Sequence, residues 1–388
     1  MDGTTSMTAW SDWADAMAVR LTARAQEAEA LRSLPAETVR EAQEAGFFAL
    51  LAPASRGGAQ MSFAEFLDVV RRMAGGCASS AWTLSFLALH VWLLCKFEPA
   101  LQEELFAGGA LPMAPAPLAP TGKAEPVEGG YRLTGRWEWA TGVNHADWVM
   151  LHGLEPTGPR FFVLPISEVV VDDVWKVAGM AATGSNTVVA KDVFVPEHRT
   201  LSVLRLRASA APGEALYPGS TVVYPMQATL AIVAVTTALG ALEGALEAFK
   251  ARMKVKLQAY TGGAKQSDAP ATHLRLGEVE ATARAARLIW ADAIARLERE
   301  GPSGHLVSVE TLAAIRLASS DVVRLANQGC NTLAAAAGAS SGFLTSAIQR
   351  HLRDVQMIRG HVMFDWDRTA QMAGRIALGQ EPLASDLL

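Results

Sequence analysis

The sequence predicts a mostly α-helical protein with one β-domain set between two helical blocks. Three observations carry that reading. Residues 131–199 run in short β-branched and aromatic stretches, YRLTGRWEWATGVNHADWVMLHG, FFVLPISEVVVDDVW and NTVVAKDVFVPEHR, broken by Gly, Asn, Asp and Pro. That is the pattern of a compact antiparallel sheet or barrel. Segments rich in Ala, Leu, Glu and Arg, with apolar residues every three or four positions, flank it on both sides. Beyond Val222 four such segments follow one another with short breaks, which argues for an antiparallel bundle.

The elements follow in order. Residues 10–31 have helical spacing, and a second helix carries Pro35 in its first turn, runs to about Glu44 and ends at Gly46. Residues 51–58 read as a loop. Ser62 and Glu65 form a capping-box pattern that opens a helix to about Ala74, and Gly75-Gly76 is expected to break it. A helix with small residues on one face starts at Ala78-Ser79-Ser80-Ala81 and ends near Phe97. Trp82 and His90 share a face on it, with Ser85 beside Trp82. A short helix over 99–106 precedes LPMAPAPLAPTG, whose prolines bar a regular helix and mark the crossing into the β-domain. Residues 200–220 show little pattern and read as a loop. Four helices are then expected at 224–259, 271–299, 306–336 and 343–375, with breaks at 261–263, 301–304 and 338–342. The domain boundaries expected are 1–112, 113–205 and 206–388.

At 388 residues, half of them apolar, the chain buries a large core in two or three subdomains. A net charge of −5 argues against the clustered basic surface of a nucleic-acid platform. Cys77, Cys95 and Cys330 are widely spaced in apolar contexts, so neither a disulfide framework nor a metal site is expected, and they read as small buried hydrophobes. The most apolar stretches, 81–95 and 228–242, contain His, Ser or Thr and fall short of the roughly 20 apolar residues of a membrane span. The N-terminus carries acids and no basic region, so no signal peptide is expected. A cytoplasmic protein that binds neither nucleic acid nor membrane is the expectation. No GxGxxG or Walker pattern stands where a strand enters a helix, which argues against a doubly wound dinucleotide fold.

Some residues can carry chemistry. Trp139-Ala140-Thr141-Gly142 offers an indole face and a hydroxyl, and Thr183-Gly184-Ser185 is a hydroxyl pair around a turn glycine. By residue type alone, a strand aromatic and an ordinary hairpin serve equally well. His90 and His361 stand on helical segments, where a lone His is usually a satisfied core residue. Lys250, Arg252, Lys254 and Lys256, with Arg275 and Arg287, suit a solvated face.

Tyr131-Arg-Leu-Thr-Gly135, Trp139-Ala-Thr141-Gly142, Asp147-Trp148, Gly179-Met-Ala-Ala-Thr183-Gly-Ser185 and Asp192-Val-Phe-Val-Pro196 occur in that order. Together they resemble the flavin-contacting β-domain of the acyl-CoA dehydrogenase superfamily. The resemblance implies that architecture throughout: an N-terminal helical domain, a β-barrel and a C-terminal four-helix bundle, usually assembled as a homotetramer. It implies that Trp139, Thr141 and Gly142 lie against a flavin with the Thr141 hydroxyl near N5. Thr183 and Ser185 would line the ring edge, and Arg252 would reach a flavin phosphate.

Ala81-Trp82 with His90, and Arg353-Asp354 followed by His361 and Asp365, resemble one branch of that superfamily, the oxygenase components of two-component flavin-dependent monooxygenases. In that branch the matching histidines face the site above the flavin. His90, His361 and Thr141 are then the catalytic candidates, Trp82 and Ser85 further cofactor contacts, and Phe86, Phe364 and Asp365 substrate contacts. The implied reaction takes reduced FMN, or FAD, from a separate NAD(P)H:flavin reductase. It uses O2 through a C4a-hydroperoxyflavin to hydroxylate a small aromatic or polyketide-like molecule. The chain departs from the dehydrogenases where many of them carry a Tyr-Glu-Gly-Thr base segment. Residues 353–362 read Arg-Asp-Val-Gln-Met-Ile-Arg-Gly-His-Val, with no Glu. An acyl-CoA or acyl-carrier dehydrogenase with FAD and a relocated carboxylate is the alternative, and a flavin-binding relative without activity is a third.

Overall fold

The computed structural model describes residues 7–109, 111–259, 261–303 and 306–388. The first six residues and Gly304 of the second expected break lie outside them. The N-terminal block is α1 (Met7–Leu31), α2 (Ala36–Glu44), α3 (Phe63–Gly76), α4 (Ala78–Leu94) and α5 (Pro99–Phe106). Ser62 caps α3: its hydroxyl accepts from the Glu65 amide, and the Glu65 carboxylate accepts from the Ser62 amide. The break expected at Gly75-Gly76 falls one residue later, at extended Cys77. The glycines serve close packing instead, since a methyl on Gly76 would overlap the Ala18 carbonyl of α1.

The central domain is one seven-stranded sheet: β1 (Gly122–Val127), β2 (Gly130–Ala140), β3 (Trp148–Glu155), β4 (Gly158–Pro165), β5 (Val170–Asp172), β6 (Asn186–Pro196) and β7 (Thr200–Ser202). Its order is β5-β6-β2-β1-β3-β4-β7. Neighbours are antiparallel except β1 and β3, which run parallel. The sheet curls around an apolar core of its own, with Leu133, Trp137, Leu151, Phe162, Val188 and Val195. Tyr131 of β2 and Phe162 of β4 meet across that core at 5.4 Å between ring centroids. β7 and the short α6 (Val203–Arg207) occupy part of the stretch expected to be loop; β7 is held by pairing with β4 rather than by any pattern of its own.

The C-terminal block is α7 (Met226–Val255), α8 (Pro270–Glu300), α9 (Val309–Ala337), α10 (Ala347–Arg359) and α11 (Trp366–Ala377). The single helix expected over 343–375 is therefore two. Gly360 ends α10, the His361 Nδ1 accepts from the Met363 amide at 3.2 Å, and a short 3-10 turn leads to Asp365, whose carboxylate caps α11. α7 also corrects the reading that no stretch is long enough to span a membrane. By length and composition it is, and 89 % of its most apolar window is buried in the protein. A helix apolar on all sides suits the centre of a bundle. All three cysteines are buried and free.

Candidate active site

Nearly every residue of α4 is buried, and the half-buried pair Trp82 and Phe86 marks where the helix meets open space. One turn apart, their rings lie 4.8 Å from each other. Phe86 makes an edge contact with His90 at 5.8 Å, one turn further on. On the other side Trp82 meets His361 at 6.4 Å, and His361 meets Phe364 at 5.8 Å. The break between α10 and α11 thus brings both candidate histidines into one row of rings with Trp82, Phe86 and Phe364. The far end of α4 is pinned: the buried Lys96 donates to Glu214 at 2.7 Å and to the Tyr224 carbonyl at 2.8 Å.

The β-domain brings a turn with a cluster of hydroxyls against α4. The Thr141 and Ser185 oxygens are 3.0 Å apart, those of Ser185 and Thr183 2.8 Å, and Thr183 donates to the Met180 carbonyl at 2.9 Å. Gly142, at φ +76°, takes a conformation that side chains rarely adopt; a methyl there would stand 3.0 Å from Thr83. The turn bearing Thr141 therefore rests on α4 at the residue next to Trp82. The Gly142 amide donates to the Thr183 carbonyl at 2.8 Å and the Thr141 amide to the Trp139 carbonyl at 3.0 Å, so both amides are engaged within the protein. Trp139 also has a left-handed backbone, φ +69°. It stands 54 % exposed, in edge contact with Trp175 at 5.1 Å. An exposed indole on a strained backbone is a conformation found at ligand sites.

Sequence reasoning missed what fixes this loop. The Met180 amide donates to the Asp354 carboxylate at 2.6 Å, and Arg353 donates to the Ala178 carbonyl while pairing with Glu29 at 2.7 Å. The Arg-Asp pair of α10 is thus the clamp on the hydroxyl-bearing segment. Nothing local announces a contact between residues so far apart in the chain.

Burial controls the charges. It pushes the His90 imidazole down to about 4, with the nearby Ala114 backbone opposing the shift, and Nδ1 is buried without a partner among the described residues. His361 is crowded by protein yet open to solvent along its rim, as at the lip of a crevice. Desolvation first, and the Arg316 guanidinium second, push its pKa downward. Burial raises the Asp354 carboxyl to about 6.

Other candidates have partners elsewhere. The Ser85 hydroxyl donates back to the Trp82 carbonyl of its own helix at 3.0 Å, and the Asp365 carboxylate accepts from the Arg368 amide at 3.0 Å. Arg252, in the last turn of α7, donates to Ser340 at 2.5 Å, and no described contact joins it to the hydroxyl cluster. Two open grooves, about 800 Å3 between α7 and α8 and about 700 Å3 between α5 and β7, also lie away from the ring row.

Comparison with known proteins finds relatives over nearly the whole chain. The family described as acyl-CoA dehydrogenase, N-terminal domain, matches residues 10–104, and that described as acyl-CoA dehydrogenase, C-terminal domain, matches residues 232–366. The chain is 31 % identical over 364 residues to the p-hydroxyphenylacetate 3-hydroxylase oxygenase component of Acinetobacter baumannii, covering 92 % of this chain and 86 % of that one. It is 33 % identical over 372 residues to the flavin-dependent monooxygenase oxygenase subunit HsaA of Mycobacterium tuberculosis, covering 92 % of each. The solved structure of XiaF from Streptomyces sp., in complex with FADH2 and glycerol, superposes with a TM-score of 0.90 at 26 % identity over 97 % of both chains.

Proposed function

Because this chain belongs to the acyl-CoA dehydrogenase superfamily, in its branch of flavin-dependent monooxygenase oxygenase components, we propose that it is the oxygenase half of a two-component hydroxylase acting on a small phenolic or polyketide-like aromatic. The observation that carries the reading is the row His90–Phe86–Trp82–His361–Phe364, on the helix against which the Thr141–Gly142 turn rests. A separate NAD(P)H-driven reductase would supply the reduced flavin, FMN by preference. We further propose a cytoplasmic homotetramer.

The residues present fit a flavin. The exposed Trp139 indole offers a flat face, and Thr141 is the one member of the hydroxyl cluster that is not fully buried. Trp139 and Thr141 would hold the ring, with Thr183 and Ser185 behind them. Reduced flavin, when bound, supplies the electrons that activate O2 for insertion of one oxygen atom. The chain's own residues do the rest. Trp82, Phe86 and Phe364 present apolar surface that excludes water and packs a planar substrate. His90 is neutral at physiological pH and stands at the inner end of the row as a hydrogen-bonding group for a phenolic hydroxyl. His361 stands at the opening of the row as a second hydrogen-bonding group. The dehydrogenase reading is not favoured: Asp365, the nearest carboxylate after His361, caps α11.

The test supplies the protein with a flavin reductase, NADH, FMN or FAD and a panel of phenols under labelled dioxygen. One labelled oxygen in the product is expected. Anaerobic reduction of bound flavin by an acyl thioester, with no label taken up by any aromatic, would replace this reading with the dehydrogenase.

A further inference from the structure

Helix α9 meets the segment after His361 with three residues spaced one turn apart, Arg316, Ser320 and Arg324, which therefore share a face. Alternate residues of the other segment stand opposite them. The Arg316 Nη2 donates to the Val362 carbonyl at 3.4 Å, the Ser320 hydroxyl donates to the Phe364 carbonyl at 3.0 Å, and the Arg324 guanidinium lies 5.0 Å from the Trp366 ring centre. Both ends of the 362–364 turn are thus held from one helix face. The His361 ring accepts from the Met363 amide, and the Phe364 amide donates to the His361 carbonyl at 2.8 Å. Whatever fixes this turn therefore fixes the imidazole.

Arg316 is a costly group to place there. It is 5 % exposed and Ser320 is 1 % exposed. Beside the Val362 carbonyl, Arg316 meets neutral acceptors: the Met363 sulfur at 3.3 Å and the Asp386 and Leu387 carbonyls at 3.3 and 3.2 Å. A guanidinium buried among neutral groups stabilises a fold less than an apolar side chain of similar size, so stability alone does not account for it. Residues 383–387 are folded to meet it. The Asp386 carboxylate pairs with Arg375 of α11 at 2.5 Å and accepts from the Leu383 amide at 2.7 Å, and Arg368 donates to the Ser385 carbonyl at 3.3 Å.

We infer that Arg316 and Ser320 are positioning residues for hydroxylation: from one face of α9 they hold the turn bearing His361 and Phe364, keeping both rings in the row with Trp82 and Phe86. This rests on the monooxygenase reading above. They act through the carbonyls of Val362 and Phe364. With the turn released, the row opens at that end and admits water, and oxygen reduced by the flavin is lost as hydrogen peroxide instead of reaching the substrate.

Hydrogen exchange and coupling, both measured on the full chain, test it. Amide exchange in the segment 360–366, followed by mass spectrometry, quickens about threefold to tenfold in Ser320→Ala, the scale of one lost hydrogen bond, and about tenfold or more in Arg316→Met. With a flavin reductase, NADH and a phenol that the wild type hydroxylates, product per NADH falls in both variants and hydrogen peroxide rises in step. Ser320→Thr, which keeps the hydroxyl, keeps wild-type exchange and coupling. Adding Arg316→Met to His361→Ala causes no further uncoupling, because Arg316 acts through His361. Wild-type exchange at the turn in both variants overturns the inference. So does faster exchange with wild-type coupling, or additive losses in the double variant. A wild type that hydroxylates no phenol, with exchange still faster in the variants, overturns the monooxygenase reading and leaves α9 as what holds the turn.

Discussion

The Trp82 and His361 rings lie 6.4 Å apart, joining a helix of the N-terminal block to a turn near the C-terminus. The contact exists because the chain breaks after Gly360 and the His361 ring caps the short turn that follows. His361→Ala is therefore expected to lower the hydroxylation rate by about 10²-fold or more, the usual scale of a positioned hydrogen-bonding or proton-transfer group. Hydrogen peroxide released per NADH should rise in step. Product and peroxide assayed together decide it: wild-type coupling with substrate still bound would remove His361 from the chemistry.

Acid should unfold this protein through its buried histidines. His90 and His351 are pushed down by burial to about 4 and about 3, so between those values and the ordinary 6.5 the unfolded chain binds protons that the folded chain does not. Stability then rises with pH across that window and is lost as pH falls through it. Asp354 acts in the opposite sense. Raised from 3.8 to about 6, it favours the folded state below 3.8 and loses that contribution as pH rises through 6. With two histidines against one carboxyl, the slope stays positive. Urea unfolding at stepped pH should show it, flatter in His351→Gln and steeper in Asp354→Asn. A falling midpoint from about pH 4 to 6.5 would contradict the assignment.

Asp354→Ala leaves the Met180 amide buried without an acceptor, a loss of about 1–3 kcal/mol. Asp354→Asn keeps an acceptor oxygen and removes a buried charge whose second oxygen has no partner among the described residues, so it should cost about 1 kcal/mol or less. Chemical denaturation measures both. Reduced-flavin affinity should follow the same order, because Met180 anchors Thr183. Equal losses in the two variants would mean that the amide contact is not what the carboxylate contributes.

Gly179 passes so close to α10 that a methyl there would overlap the Arg353 carbonyl. Backbone cannot rotate away as a side chain can, so Gly179→Ala must push the loop and α10 apart, at about 1–3 kcal/mol. A lowered melting temperature together with weaker flavin binding is expected. Unchanged values of both would show that the loop moves freely against α10.

Helix positions, the Ser62–Glu65 cap and the strand-rich centre are legible in the sequence because each depends on neighbours within a few residues: apolar spacing, a hydroxyl three positions before a carboxylate, β-branched runs between turns. The motifs around Thr141, Thr183 and Ser185 likewise point to the flavin superfamily from residue order alone. Three things lie beyond local pattern. The last helix splits at His361 because an imidazole nitrogen captures a backbone amide, which no periodicity announces. Asp365, a substrate candidate by position, is drawn into capping α11 by that same break. Asp354, one residue of a recognisable Arg-Asp pair, acquires its role only by meeting Met180 from across the fold. Composition and spacing settled which elements form and which side chains are available. Tertiary packing decided which of them meet and which are already spent on the backbone. Hydrogen bonds between distant segments depend on where the chain returns, not on the residues beside it.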